Sequence, residues 1–251
     1  MRIIVCYKCV PDDQQISIRS DRMLDLSSAQ LAIGRYDLEA VEAAMKLPGE
    51  NEVYVLTVAG DAADNSKLRK AILSRGPLKQ YAVRDREMEA SDSFRTAAVL
   101  RSAIEQIGDV DLVLCGEGSE DMYSQQVGPL LGTLLKWPTL NAVSGIEVKD
   151  GNIIVERSLE SCTEVIELKL PAVISVCAGI EVPRIPSMRD ILAAGKKPYE
   201  IWDADELCDT DSCIETLSIL APEAVERRRE IISGADEDGI ERFYHRLCAV
   251  L

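Results

Sequence analysis

Apolar runs and helical stripes alternate along the first 136 residues. Residues 2–8 (RIIVCYK) are short, β-branched and ended by the turn chemistry of Val10-Pro11-Asp12-Asp13, which predicts a buried strand. Over residues 37–47 (DLEAVEAAMKL), Leu38, Val41, Ala44 and Met45 share a face at three- and four-residue spacing, which predicts a helix with Asp37 as its cap. The alternation continues with a strand over 52–58, a turn at Ala59-Gly60-Asp61 and a helix over 64–75 stopped by Gly76-Pro77. A strand over 79–83, a helix over 92–107 closed by Gly108, a strand over 111–115 and a helix over 123–136 follow. Continuous apolar strands joined by helices imply a parallel sheet covered on both faces. Right-handed crossovers make this a doubly wound, mainly parallel α/β sheet in a three-layer sandwich. Such sheets bind ligands beyond the carboxyl ends of their strands, which singles out the loops 8–13, 58–64 and 116–124.

After Pro138 the pattern becomes a meander, with strands over 139–148, 152–159, 163–170 and 172–177 and a hairpin turn at Lys149-Asp150-Gly151-Asn152. Two prolines three apart keep Glu181–Ser187 irregular, and Ser187 can cap a short helix over 188–194 that Gly195 ends. Residues 1–198 read as one α/β domain and 199–251 as an extended C-terminal arm. From 203 onward the arm has 13 Asp/Glu against five Arg and one good helix at 237–248. A segment so acidic and so thin in core residues is expected to wrap another surface rather than fold alone.

Charge narrows the partners. The chain carries 28 Lys+Arg against 43 Asp+Glu, net −15, which argues against nucleic acid and anionic membrane surfaces. No apolar run approaches the roughly 18 residues of a membrane span, and the N-terminus lacks the h-region of a signal peptide, so the expected location is cytoplasmic, without membrane insertion. Eight cysteines are too few for a disulfide scaffold. Cys115 and Cys177 end apolar runs and read as buried small hydrophobes. Cys6-Tyr-Lys-Cys9 has CxxC spacing, but it lies in and beyond a strand, where the two side chains take opposite faces, rather than opening a helix.

Standard catalytic sets are missing. There is no GxxxxGK[ST], GxSxG or HExxH, and Gly116-Glu-Gly118-Ser-Glu-Asp121 has Asp where a dinucleotide fingerprint needs its third Gly. The single His245 sits on the acidic arm, which leaves no Ser-His or Cys-His pair. A binding or carrier protein is favoured over a stand-alone enzyme. The loop 116–128 (GEGSEDMYSQQVG) can bring backbone N–H groups and a helix N-terminus to a phosphate, with Ser124, Gln125 and Gln126 as neutral donors. The alternative is a tight turn that caps its own helix. The stretch 181–198 (EVPRIPSMRDILAAGKKP) sets Ile185, Met188, Ile191 and Leu192 among Arg184, Arg189, Lys196 and Lys197. This reads either as a docking loop or as a packed linker.

Several of these segments, in order, resemble the electron transfer flavoprotein β subunit family, and most of all its Fix-type branch. They are Lys8 with Val10-Pro11-Asp12, Asp37-Leu-Glu-Ala-Val-Glu-Ala-Ala, Gly116…Gln126-Val-Gly128, Glu156-Arg157, Lys169-Leu-Pro-Ala-Val173 and Pro183–Pro198. The resemblance implies a heterodimer with an α subunit that holds most of the redox FAD, and an arm that embraces that subunit. It implies electron shuttling between an acyl-CoA dehydrogenase-type or quinone-reductase flavoenzyme and another donor or acceptor. Carried over, the nucleotide contacts fall on Cys6, Gly34, Tyr36, Asp37, Val58, Gly116, Gly118, Ser119, Asp121, Ser124, Gln125, Gln126 and Val127. The guest is AMP in the conventional branch and a second FAD in the bifurcating one. Gln126-Val-Gly-Pro129 and the missing consecutive aspartates favour FAD. The recognition loop falls on Arg184, Ile185, Pro186, Met188, Arg189 and Ile191, with Met188 as anchor. Competing readings are a nucleotide-sensing α/β regulator and a thiol redox protein using Cys6 and Cys9.

Overall fold

The computed structural model of the chain describes residues 1–87, 91–149, 151–209, 211–223, 225, 229–232, 234 and 236–250. In chain order the elements are β1 (Arg2–Cys6), β2 (Cys9–Pro11), β3 (Ser17–Ile18), β4 (Leu24–Asp25), β5 (Leu31–Ile33), α1 (Arg35–Lys46), β6 (Glu52–Ala59), α2 (Ser66–Leu73), β7 (Lys79–Arg84) and α3 (Ser93–Ile107). There follow β8 (Leu112–Gly116), α4 (Val127–Leu135), β9 (Thr139–Lys149), β10 (Asn152–Ser158), β11 (Thr163–Leu168), β12 (Ala172–Val176), α5 (Met188–Ala194), β13 (Tyr199–Asp203), α6 (Ala204–Leu207) and α7 (Glu237–Cys248). Nine strands form one sheet in the order β11-β10-β9-β12-β8-β1-β6-β7-β13. Every neighbouring pair from β9 to β13 is parallel, and β10 runs antiparallel to both β9 and β11.

The period-two alternation of the strands divides the core in two. Ile3 and Val5 of β1 pack with Val53, Val55, Leu112 and Leu114 against Val41 and Ala44 of α1 and Ile72 of α2. Ile4 and Cys6 pack on the other face with Leu56, Val113 and Cys115 against Ala97, Leu100 and Ile104 of α3 and Leu131 of α4. The result is a three-layer α/β sandwich. Ile3, Ile4, Leu112 and Leu114 are fully buried, and each such side chain contributes about 1.5–3 kcal/mol. With both faces covered, no register shift of β1 could expose one face without cost.

Several boundaries differ from the sequence reading. Asp37 is not the cap of α1: Gly34 holds that position without a side-chain bond, and Asp37 sits buried in the first turn. α4 starts at Val127 rather than 123, because Tyr123 (φ 44°) and Gln125 (φ 57°) adopt left-handed backbone that a helix cannot continue. Pro129 fits the first turn of α4, where an N–H has no helical acceptor. The boundary at residue 198 falls inside the sheet, since Tyr199–Asp203 pair with Gln80–Arg84 as the edge strand β13. Asp150 of the expected hairpin turn lies outside the described residues, while Gly151 beside it has φ 81°. α5 matches its expected span, with a full capping box between Ser187 and Asp190. No helix of the described residues is long and apolar enough to cross a membrane.

Candidate functional site

The connections α1 and α2 lie on one face of the sheet and α3 and α4 on the other, so the winding reverses at β1 between β6 and β8. At the carboxyl end of that crevice is a cavity of about 320 Å³, closed in by the first turns of α3 and α4. Position and size both suit a small-molecule site. Of the thirteen residues expected to meet a nucleotide, Cys6, Asp37, Val58, Gly116, Gly118, Ser119, Ser124, Gln125, Gln126 and Val127 line it.

The other three are not among its lining. Gly34 precedes α1. Tyr36 packs its ring 5.6 Å from that of Tyr123. Asp121 takes the Lys8 ammonium at 2.7 and 2.9 Å. Burial opposes ionisation of Asp121, but hydrogen bonds from Lys8 and Ser119 hold its carboxyl below the ordinary value. Glu120 accepts from the Arg35 amide at 3.2 Å, at the start of α1. The two acidic side chains therefore fold the loop back onto β1 and α1.

Asp37 is the tie beneath the cavity. Its Oδ2 accepts from the Lys8 amide at 2.7 Å. Burial pushes its carboxyl up to about 7, against the pull of the Lys8 and Gly116 amides. The loop glycines serve the chain's own packing. A Cβ on Gly116 would stand 2.7 Å from Tyr36 Cβ and 2.8 Å from Asp37 Oδ1, and one on Gly118 would stand 2.7 Å from the Tyr123 ring. The sequence suggests ligand approach for both glycines; the contact of Gly116 with α1 spans about eighty residues and leaves no local signal, whereas that of Gly118 lies within its own loop.

The lining offers few charges. Lys8 is already paired, so an anion would meet backbone N–H groups and neutral side chains. Gln126, at the cap of α4, makes no side-chain capping bond, which leaves the first-turn amides of that helix without a side-chain acceptor. Ser93 and Ser124 approach at 3.3 Å between hydroxyls. Val58, Leu100 and Ile214 supply apolar walls. Ser91, Asp92, Ser93 and Thr96 from the α3 side, and Ile214 and Thr216 from the arm, were not foreseen; only the cap signal of Asp92 was available in the sequence.

The cysteines do not form a working pair. Cys6 belongs to the core under α3 and α4, and Cys9 packs at the edge of the core under α1 and α2. A bond to Cys115 and burial push the Cys6 thiol up, and burial pushes Cys9 to about 12, so neither is poised as a thiolate. Cys115 is buried as expected, whereas Cys177 is only partly so.

The loop 181–194 has the opposite character. Val182, Ile185, Met188 and Leu192 are between 70% and 95% exposed. Pro186 stiffens the approach to α5, and Ile191 is just exposed at 36%. Arg184 is not a free cation: its guanidinium holds both oxygens of Glu42 at 2.7 and 3.0 Å. Lys197 likewise donates to the carbonyls of Leu73, Gly76 and Pro77. Arg189 and Lys196 remain exposed.

The sequence model of the electron transfer flavoprotein domain matches residues 24–207, from β4 to the end of α6. That span is nearly three quarters of the chain and includes most of the cavity lining and the whole of the exposed loop. The chain belongs to the electron transfer flavoprotein family.

Proposed function

We propose that this chain is the β subunit of a heterodimeric electron transfer flavoprotein of the Fix-type branch. In this reading its cavity holds the adenine nucleotide portion of a guest, FAD in preference to AMP, and its arm wraps the α subunit. The observation that carries the reading is the cavity itself. It lies at the reversal of winding, and ten of the thirteen residues carried over by the resemblance line it. The donor set fits a phosphate flanked by an apolar group: uncapped amides of α4, hydroxyls of Ser93 and Ser124, amides of Gln125 and Gln126, and walls from Val58 and Leu100. Such a site binds without a surplus of positive charge, in keeping with Lys8 being paired to Asp121.

FAD, when bound, supplies the electron-carrying chemistry. The protein's own residues position and enclose. Asp37 locks the ends of β1 and α1 together beneath the guest. Gln125 and Gln126 orient the polar end, and Val58 and Leu100 exclude water from the other. The exposed loop 184–194 docks an acyl-CoA dehydrogenase-type or quinone-reductase flavoenzyme through Met188. Co-expression with the α subunit, followed by chromatography of the released nucleotides, tests the reading. Two FAD per heterodimer is the expected yield. One FAD with one AMP would reassign the guest, and a stable homodimer with no α subunit bound would favour a nucleotide-sensing regulator.

A further inference from the structure

Beyond the sheet the chain turns back to the cavity, where Ile214 and Thr216 join its lining. Ala204, Leu207 and Cys208 pack into the core beside α3 and α4. Asp92 then takes hold of the backbone. Its amide donates to Ser212 Oγ at 3.2 Å. Its Oδ2 accepts from the amides of Cys213 at 2.6 Å and Ile214 at 3.0 Å, while its Oδ1 caps α3 through the Arg95 amide at 2.8 Å. Burial opposes the charge on Asp92, but these amides outweigh it and hold the carboxyl below its ordinary value. Ile214 and Thr216 form part of the cavity wall. Farther on, Leu220 bridges Met23, the Ala221 amide donates to the Arg22 carbonyl at 2.9 Å, and Arg22 pairs with Glu223 at 3.1 Å. One end of this segment is thus fixed to the start of α3, and the other to the β3–β4 hairpin in the excursion between β1 and α1.

We propose that residues 211–223 are a retaining strap over the nucleotide cavity, clasped by Asp92 at one end and by Arg22 and Met23 at the other, whose opening sets how fast the guest enters and leaves. The inference rests on the nucleotide reading above. The strap is built to open without unfolding the body. Between Ser212 and Ile219 it has no regular structure, and Leu217 at its middle is 87% exposed. Segments with few buried contacts open locally far more often than a packed core does. The division of labour within one carboxylate matters equally. Oδ1 keeps the helix capped while Oδ2 releases the strap, so the wall of the cavity that belongs to α3 stays in place.

Two variants of the full chain test this. Asp92→Asn keeps a capping oxygen for α3 but replaces the accepting Oδ2 with an NH₂ that cannot accept. Ile214→Ala keeps the clasp and removes the wall. Release of bound FAD and of bound AMP is followed after dilution, alongside hydrogen exchange at the Cys213 and Ile214 amides. Asp92→Asn should speed both release and amide exchange by about tenfold, as expected for losing charge-assisted bonds. Ile214→Ala should speed release while leaving exchange at the wild-type rate. Wild-type release in both variants, with the two amides exchanging freely in Asp92→Asn, overturns the strap and leaves the nucleotide reading standing. Should Asp92→Asn lose helical signal, wild-type release from Ile214→Ala overturns it alone. If the unaltered chain binds neither FAD nor AMP, the nucleotide reading fails and the strap with it.

Discussion

Two loops of this chain leave the carboxyl ends of neighbouring parallel strands, β8 and β12, and turn opposite ways. The loop after β8, residues 117–126, turns inward: Asp121 pairs with Lys8, Glu120 with the Arg35 amide, and Tyr123 packs on Tyr36. The loop after β12 turns outward and leaves Ile185 and Met188 in solvent. Both are rich in residues that could read as either binding or packing. What separates them is where their charges go. In the first, acidic groups close the loop onto its own scaffold and leave a hollow lined by neutral donors. In the second, Arg184 and Lys197 anchor the two ends inward, and the apolar middle is held out. A held-out apolar segment on a stiff base keeps the entropy lost on docking small.

The largest effect expected concerns the base of the inward loop. A carboxyl that titrates at about 7 in the folded chain and near 3.8 in the unfolded one binds more protons when folded. Its contribution to stability is therefore fully present below about pH 4 and is lost as pH rises through 7, to an extent of about 4 kcal/mol at most. Asp37→Asn removes this dependence. Denaturation midpoints of both proteins between pH 4 and pH 8 should show wild type losing ground to the variant as pH rises. A constant difference would mean that the Lys8 and Gly116 amides keep the carboxylate ionised throughout.

Next comes Gly116→Val. Its side chain would strike Tyr36 and Asp37, so it should cost roughly 1–3 kcal/mol by overpacking and lose the bound nucleotide as the tie is displaced. Urea unfolding and nucleotide content report the two effects. Unchanged nucleotide content would separate the loop from the site.

The difference between the loops also marks what the sequence could disclose. The doubly wound sheet is legible because strand and helix periods are local, and α5 is legible to the residue because its cap Ser187 and its stop Gly195 directly flank it. The carboxyl ends of parallel strands point to the loops after β1, β6 and β8, while the individual residues expected there, ten of which line the cavity, come from the family resemblance. Asp37 was misread as a cap, since nothing local indicates that its carboxylate reaches Lys8, 29 residues away. The pairing of Arg184, which the sequence places among the cations of the recognition loop, is hidden for the same reason: Glu42 lies 142 residues away along the chain. The share of the arm in the cavity wall depends on Asp92 meeting Cys213 and Ile214, and no pattern in the acidic arm points to it.

The anchoring of the outward loop can be tested by comparing its two arginines. Burial pushes the Glu42 carboxyl up, and the Arg184 guanidinium more than reverses this. Arg184→Ala would leave a nearly buried carboxylate without its partner, at a cost of roughly 1–3 kcal/mol, toward the lower end because the guanidinium is partly exposed. Arg189→Ala should leave stability unchanged and instead weaken association with the redox partner at low salt. Equal stability losses in thermal unfolding would show that the two arginines share the anchoring.

The smallest effect on the subunit itself should come from Met188→Ala. At 72% exposure the side chain buries little in the free protein, so its removal should leave the unfolding midpoint, the flavin content and the subunit pairing unchanged. In the proposed docking role its contribution is confined to the complex. An unbranched thioether can fill an imperfect pocket, and Ser187 and Asp190 fix the turn from which it projects. Truncation should therefore cost about 1–2 kcal/mol of association with the proposed flavoenzyme partner, within the hot-spot range. Stopped-flow electron transfer at varied partner concentration measures that loss as a raised half-saturation with an unchanged limiting rate. If Met188→Ala instead releases flavin or splits the heterodimer while partner affinity holds, the outward loop is part of the scaffold, and the contrast between the two loops disappears.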